Sequence, residues 1–215
     1  MVIGDVHGCY STLLRLVEKV GLSLDDQLFF LGDLINRGPN SKKVLDYILD
    51  LKEAGFQVYL LMGNHEHMAL KKAKRGEAPL LNFLTYRNAT DLLNKKGELR
   101  KRFKRLMSSG HRYIELSGFF LVHAGFDIHS DHPLTPNLNM LYMRSFWLRK
   151  KFRKKRVVFG HRPKHWKSIK AAVEKGKPSI GIDNGCVLGT SRKAYGRLVC
   201  FDLTNEKLIS QKCLD

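Results

Sequence analysis

The chain has 215 residues, enough for one domain with a sizeable buried core. Its content, 43% hydrophobic and 27% charged, is that of a folded protein, and no apolar stretch reaches the roughly 20 residues that span a bilayer. The formal net charge of +18 excludes an acidic, solvating chain and points to anionic partners.

Met1 to Ile3 is a short apolar run, followed by Leu13, Leu14, Val17 and Val20 at helical spacing. Gln27 to Leu31 reads as a buried strand ending at Gly32-Asp33. Ser41 is read as the N-cap of a helix that turns Val44, Leu45, Ile48, Leu49 and Leu51 inward. Phe56 to Met62 is the third strand, ending at Gly63-Asn64. This alternation, with polar residues at strand ends, predicts an α/β sheet with a site at its carboxyl edge. From about residue 68 to 110 the sequence is basic and mostly helical. It is read as a cap or insertion docked through Leu80, Leu81, Phe83, Leu84, Leu92 and Leu93, within a single domain over 1–215. Strand-like runs follow at Arg112–Leu116, Phe119–His123, Val157–Gly160, Ser179–Ile182, Arg197–Leu203 and Lys207–Gln211. They are expected to form a second, partly antiparallel sheet.

The basic residues cluster. Lys71 to Arg75 holds 4, Lys95 to Arg105 holds 7 and Arg149 to Arg156 holds 7, so three windows carry 18 of the 38 Lys and Arg. Such focused potential attracts polyanions. Cys9, Cys186, Cys200 and Cys213 show no CxxC spacing; Cys200 and Cys213, in or beside apolar runs, are read as buried free thiols. Asp5 and His7 interrupt the only apolar start, so no signal peptide is expected and the cytoplasm is the expected location.

Five short motifs follow apolar runs in fixed order: Gly4-Asp5-Val6-His7-Gly8, Gly32-Asp33-Leu34-Ile35-Asn36-Arg37-Gly38, Gly63-Asn64-His65-Glu66, His123-Ala124-Gly125 and Gly160-His161. Asp5 and His7, two apart on extended chain, face the same side and can reach one ion. Asp33 can bridge two ions, Asn64 offers a neutral oxygen, and His123 and His161 offer imidazoles. A donor set without thiolate suits Mn, Fe, Zn or similar ions. Each motif alone is an ordinary turn; five at successive strand ends point to metal-assisted phosphoester hydrolysis.

The pattern resembles the phosphoprotein phosphatase branch of the calcineurin-like metallophosphoesterases: GDxHG, GDxxDRG, GNHE, HAG or HGG, and a final GH. The resemblance runs from Gly4 to about His161 and is strongest to bacterial members, through Gly38-Pro39-Asn40-Ser41. It implies a β-sandwich of two mixed sheets flanked by helices. It also implies two divalent metals, Mn first and Fe, Zn, Ni or Co as alternatives. Asp5, His7 and Asp33 would hold one, and Asp33, Asn64, His123 and His161 the other, with a bridging hydroxide attacking phosphorus in line. His65 corresponds to the general acid and Arg37 to a phosphate clamp. Arg144 is nominated as a second clamp, with Tyr142 in a position the family gives to Trp and with Arg149 and Arg153 nearby.

One position departs from the pattern. Asn36 stands where the family has an Asp paired with the acid histidine. Its oxygen is expected to accept a hydrogen bond from His65 without stabilising an imidazolium, which weakens help for poor leaving groups. His111, His129, His132 and His165 are read as surface or loop residues. Asp127, His129, Asp131 and His132 are read as a rim loop, and Asp183-Asn184-Gly185-Cys186 as a structural turn.

Three substrate readings follow. The leading one is a Ser/Thr-type protein phosphatase acting on phosphorylated protein. The alternative is a dinucleoside polyphosphate hydrolase of the diadenosine tetraphosphatase type, favoured by Asn36, the Gly-Pro-x-Ser extension and the basic cap. The third is a polyanion- or RNA-binding protein with weak catalysis. It is disfavoured because Phe103 and Phe152 are the only rings within the basic runs.

Overall fold

The computed structural model describes residues 1–127, 129–144 and 154–215. Among the described residues nine strands form two sheets. The first contains β1 (Val2–Ile3), β2 (Gln27–Phe30), β3 (Gln57–Leu60), β8 (Arg197–Asp202) and β9 (Lys207–Lys212), in the order β3-β2-β1-β8-β9. The second contains β4 (Tyr113–Glu115), β5 (Phe119–Val122), β6 (Arg156–Phe159) and β7 (Ser179–Gly181) in sequential order. β1, β2 and β3 run parallel, as do β5, β6 and β7.

The strand runs read from the sequence are all present, but their allocation differs. β8 and β9 do not join the second sheet. β8 pairs antiparallel with β1, Val2 opposite Phe201, and β9 pairs with β8. Buried periodicity identifies a strand without naming its neighbour, and here the missing neighbour was the open side of β1.

Alternation along the strands separates two cores. Val2, Phe29 and Leu31 face the second sheet and pack with Leu121, Val158, Ile180 and Phe201. Ile3, Leu28 and Phe30 face the helical side, against Leu13 and Leu16 of α1 (Tyr10–Val20) and Val44 and Ile48 of α2 (Ser41–Glu53). Burial on both faces explains why these strands read as unbroken apolar runs. The outer face of the second sheet buries Phe120, Val122 and Val157 with Phe126 and Met140. Met140 lies on the short α6 (Asn139–Tyr142). α7 (Trp166–Glu174) adds Ile169 and Ala172 to the inter-sheet core.

The basic segment after β3 is helical: α3 (Asn64–Ala73), α4 (Glu77–Tyr86) and α5 (Lys101–Ser108). Leu80, Leu84 and Leu92 are buried in the same core as α1 and α2, Phe83 and Leu93 pack against it, and Leu81 is 46% exposed and does not dock. Ser41 is the first residue of α2, with Asn40 in the N-cap position, and the Ser41 hydroxyl instead accepts Asn36 N–H at 2.8 Å. Among the described residues no helix is long and apolar enough to cross a membrane.

Candidate metal centre and its pocket

All five motifs leave the carboxyl ends of parallel strands: Gly4 after β1, Gly32 after β2, Gly63 after β3, His123 after β5 and Gly160 after β6. Parallel strands point these ends one way, so residues scattered over more than 150 positions converge on one edge. The approach is tight. A side chain at Gly63 would collide with Asp33 N and Oδ1, and one at Gly160 would collide with Asp5 Oδ1. The loop backbones are strained as well. His7, Asp33, Asn36, Arg37 and His161 all hold φ between 48° and 74°, a region non-glycine residues enter at a cost of roughly 1–2 kcal/mol each.

Two trios of donors share Asp33. His7, Asp33 and His65 offer atoms within 4.8 Å of one another, and so do Asp33, His123 and His161. Asp33 Oδ2 is 3.6 Å from His7 Nε2 and 4.0 Å from His65 Nε2, while Oδ1 is 3.5 Å from His123 Nε2. Asn64 Oδ1 lies 3.1 Å from His123 Nε2 and 2.9 Å from His161 Nδ1. The outer nitrogens of two rings are anchored to backbone carbonyls, His7 Nδ1 to Ile35 at 3.1 Å and His123 Nδ1 to Leu31 at 2.8 Å, which aims Nε2 inward. Asp5 stands outside both trios. Its two oxygens accept His161 N–H at 3.1 and 3.0 Å and hold that loop in place.

Buried carboxylates lack a cationic side-chain partner here among the described residues. Asp5 and Asp33 are almost fully buried, and no Lys or Arg forms an ion pair with either among the described residues. Burial, and then the Asp183 and Asp33 charges, push Asp5 well above the usual carboxylate range; burial raises Asp33 to about 7. Burial also lowers His7 to about 3 and His123 and His161 to about 4, so all three rings are neutral at pH 7. Neutral imidazoles around uncompensated carboxylates fit cations, and oxygen with imidazole donors fits hard or borderline divalent ions.

Glu66 builds the frame. Its Oε2 accepts Asp33 N–H at 2.8 Å and Gly63 N–H at 3.1 Å, and its Oε1 accepts Leu34 N–H at 2.8 Å and Ile35 N–H at 3.2 Å. Asp33 Oδ1 in return accepts His65 N–H at 3.0 Å. The motif loops after β2 and β3 are therefore locked together by two buried carboxylates.

Asn36 differs from the expectation. Its Nδ2, not its oxygen, lies 2.8 Å from His65 Nδ1, and Oδ1 is buried without a hydrogen-bond partner. With the amide donating to Nδ1, the proton of neutral His65 sits on Nε2, the nitrogen facing Asp33. Burial first, then the neighbouring His7 and Arg37, holds His65 far below the ordinary histidine range.

Beside the donors lies a polar cavity of about 390 Å³, lined by Asp33, Asn64, His65 and His161 together with Arg37, Arg87, Arg144 and Arg162. The sequence reading named Arg37 and Arg144 and missed the other two. Arg162 directly follows the last motif. Arg87 comes from the basic helical segment, where its carbonyl accepts Arg37 N–H at 2.6 Å and Asn88 Nδ2 donates to Gly38 O at 3.3 Å. None of the four belongs to the three basic runs. The runs at 71–75 and 95–105 lie elsewhere on the helical segment, and Arg149, Phe152 and Arg153 of the third run lie outside the described residues.

Asp183 was also underread. It leaves the end of β7 and is 4% exposed, and its charge bears on Asp5. Its neighbour Asn184 does the structural work, donating to Lys164 O and Ala194 O. His111, His129, His132 and His165 are exposed. Asp127 is occupied by His129 N and Asn139 Nδ2 rather than by a ligand cluster. His67, passed over in the sequence, pairs with Tyr142, its Nδ1 2.8 Å from the hydroxyl oxygen.

The chain is 26% identical over 225 residues to the asymmetrical bis(5'-nucleosyl)-tetraphosphatase PrpE of Geobacillus sp. (strain WCH70), covering 90% of this chain and 88% of that protein. It is 38% identical over 98 residues to the symmetrical bis(5'-nucleosyl)-tetraphosphatase of Buchnera aphidicola subsp. Baizongia pistaciae (strain Bp), a stretch covering 42% of this chain but only 34% of the relative. In fold it is similar to the crystal structure of a cold-active protein-tyrosine phosphatase of a psychrophile Shewanella sp., with a TM-score of 0.63, 19% identity, and 97% of this chain and 76% of that one covered. The calcineurin-like phosphoesterase profile matches residues 1–186, most of the chain and every loop that feeds the pocket, and the chain therefore belongs to that metal-dependent hydrolase family.

Proposed function

We propose that the protein hydrolyses the phosphoanhydride of dinucleoside polyphosphates, in preference to the phosphoprotein reading that led from sequence alone. One observation carries this: four arginines line a single cavity beside the donor cluster. A phosphomonoester presents one phosphoryl group for guanidinium contact, whereas a tetraphosphate bridge presents several in a row. The similarity to two bis(5'-nucleosyl)-tetraphosphatases supports the same substrate class.

His7, Asp33 and Asp5 would hold one divalent cation and Asp33, Asn64, His123 and His161 a second, Mn2+ being the first expectation and Fe, Zn, Ni or Co alternatives. When bound, such a pair polarises phosphoryl oxygens and supplies a nucleophile from water at neutral pH. Arg37, Arg87, Arg144 and Arg162 draw the remaining phosphates into register and offset their charge. His65 contributes a hydrogen bond from Nε2, its tautomer set by Asn36 Nδ2 at 2.8 Å. A neutral imidazole that donates a hydrogen bond, with an amide and not a carboxylate at its Nδ1 to support an imidazolium, suits a leaving group that needs little protonation. A nucleotide phosphate is such a group; a serine alkoxide is not.

The test is a Mn-supplemented panel of diadenosine tetraphosphate, phosphopeptides, triphosphorylated RNA and an aryl phosphate, with Asp33→Asn as blank. The expected result is the highest kcat/KM on diadenosine tetraphosphate, abolished by chelation and restored by Mn2+. Faster turnover of phosphopeptides would overturn the reading, and turnover surviving in Asp33→Asn would overturn the metal assignment. Steep, salt-dependent RNA binding without metal-dependent turnover would favour the polyanion-binding reading instead.

A further inference from the structure

Three of the four cysteines meet outside this pocket. Cys9 precedes α1, Cys186 opens the short turn of 3-10 helix after Asp183, and Cys213 follows β9. Their sulfurs all lie within 4.8 Å of one another. Cys9 and Cys186 are 1% exposed, and Cys213 is half-buried. Cys9 Sγ donates to His7 O at 3.8 Å and Cys213 Sγ to Asp215 O at 3.5 Å, and the neighbouring Cys186 is the main cause holding the Cys213 thiol down to about 6. The nearby Asp215 carboxylate is already occupied by Ser11 N–H, Thr12 N–H and the Thr12 hydroxyl.

We propose that Cys9, Cys186 and Cys213 form a thiolate site for one thiophilic d10 cation, Zn2+ or Cu+, separate from the His and Asp centre. Three atoms mutually within 4.8 Å lie within about 2.8 Å of a common point, against a metal–sulfur bond of about 2.3 Å. Closing the triangle asks for about half an ångström of movement per sulfur. Donor chemistry sorts the two centres, since thiolates select Zn and Cu(I) while oxygen-rich sets accept Mn and Mg. On binding, each thiol releases its proton to solvent and gives a sulfur lone pair to the ion, so nothing is oxidised. A disulfide would join two sulfurs and leave the third unused, whereas all three are close here. The bound ion would tie the tail of β9 and the turn after Asp183 to the loop that carries His7, and so stabilise the folded chain.

The metal-stripped full chain, kept anaerobic with a phosphine reductant, is titrated separately with Co2+ (a spectroscopic stand-in for Zn2+), Zn2+ and Cu+. The expected result is a saturable thiolate-to-cobalt charge-transfer band, absent in both Cys186→Ser and Cys213→Ser. A raised Tm with Zn2+ or Cu+ and loss of reactive thiols accompany it. X-ray absorption separates the sources: three sulfurs alone indicate Cu+, and three sulfurs plus one lighter atom indicate Zn2+. Cys213→Ser is expected to keep Mn-supported turnover, which shows that it folds. No charge-transfer band, or a band that survives Cys213→Ser, would each overturn the proposal.

Discussion

Glu66 does not line the pocket, yet its carboxylate takes four backbone N–H groups from two motif loops. Burial and the Asp33 charge push it up to about 8, against the pull of those N–H donors. Glu66→Gln keeps the volume but turns an NH2 toward donors, so Asp33 loses its fixed position. Groups that orient ligands typically cost 10–100-fold when changed, so apparent Mn2+ affinity is expected to fall by about that factor while saturating Mn2+ recovers most turnover. A Mn2+ activation curve checks it. Arg87→Ala removes charge-assisted contacts worth about 1.5–3 kcal/mol, so KM for diadenosine tetraphosphate is expected to rise roughly 10- to 100-fold, with a smaller change for an aryl phosphate. Steady-state kinetics on both substrates separates the two. Asn36→Asp places a carboxylate against His65 Nδ1, where it can support an imidazolium. Turnover of phosphoserine peptides should then rise more than that of an aryl phosphate, and equal changes on both would sink the idea.

At the level of elements, the edge that carries the site was legible because each strand is an unbroken apolar run that stops at a Gly-Asp, Gly-Asn or His. Asp183 follows the same grammar after Ser179–Ile182, but the Asn-Gly that follows it made a turn the simpler reading. Arg87 and Arg162 were not legible: among 38 basic residues nothing local distinguishes them, and only the packing of α4 against the Arg37 loop brings Arg87 to the cavity. The three-cysteine meeting was invisible for the same reason, since its members are spaced by the fold and not by a motif. α1 shows another long-range dependence. No side chain of its own caps it, and the first-turn N–H groups of Ser11 and Thr12 reach Asp215 at 3.1 and 3.0 Å. Asp215→Ala is therefore expected to cost about 1 kcal/mol of stability, read from the shift of a urea unfolding midpoint at unchanged slope.

For the whole molecule, the net charge of +18 and the arginine-lined cavity would act together on the proposed polyphosphate substrate. Raising ionic strength shortens the Debye length from about 10 Å at 0.1 M to about 3 Å at 1 M. The kcat/KM for diadenosine tetraphosphate should fall severalfold over that range, and that for a singly phosphorylated substrate should fall less. Stopped assays at fixed Mn2+ and varied KCl measure the slopes. The antiparallel placement of β8 beside β1 has a consequence for synthesis. By residue 161 a growing chain holds every donor of the proposed centre, but Val2 and Ile3 gain their second hydrogen-bonded neighbour only when Cys200 and Phe201 emerge. The strand that precedes Asp5 and His7 is thus expected to lack its antiparallel neighbour until β8 has been made. A nascent chain would carry the proposed donors before it could hold them still, and hydrolytic competence is expected only once the β8–β9 hairpin has closed on β1.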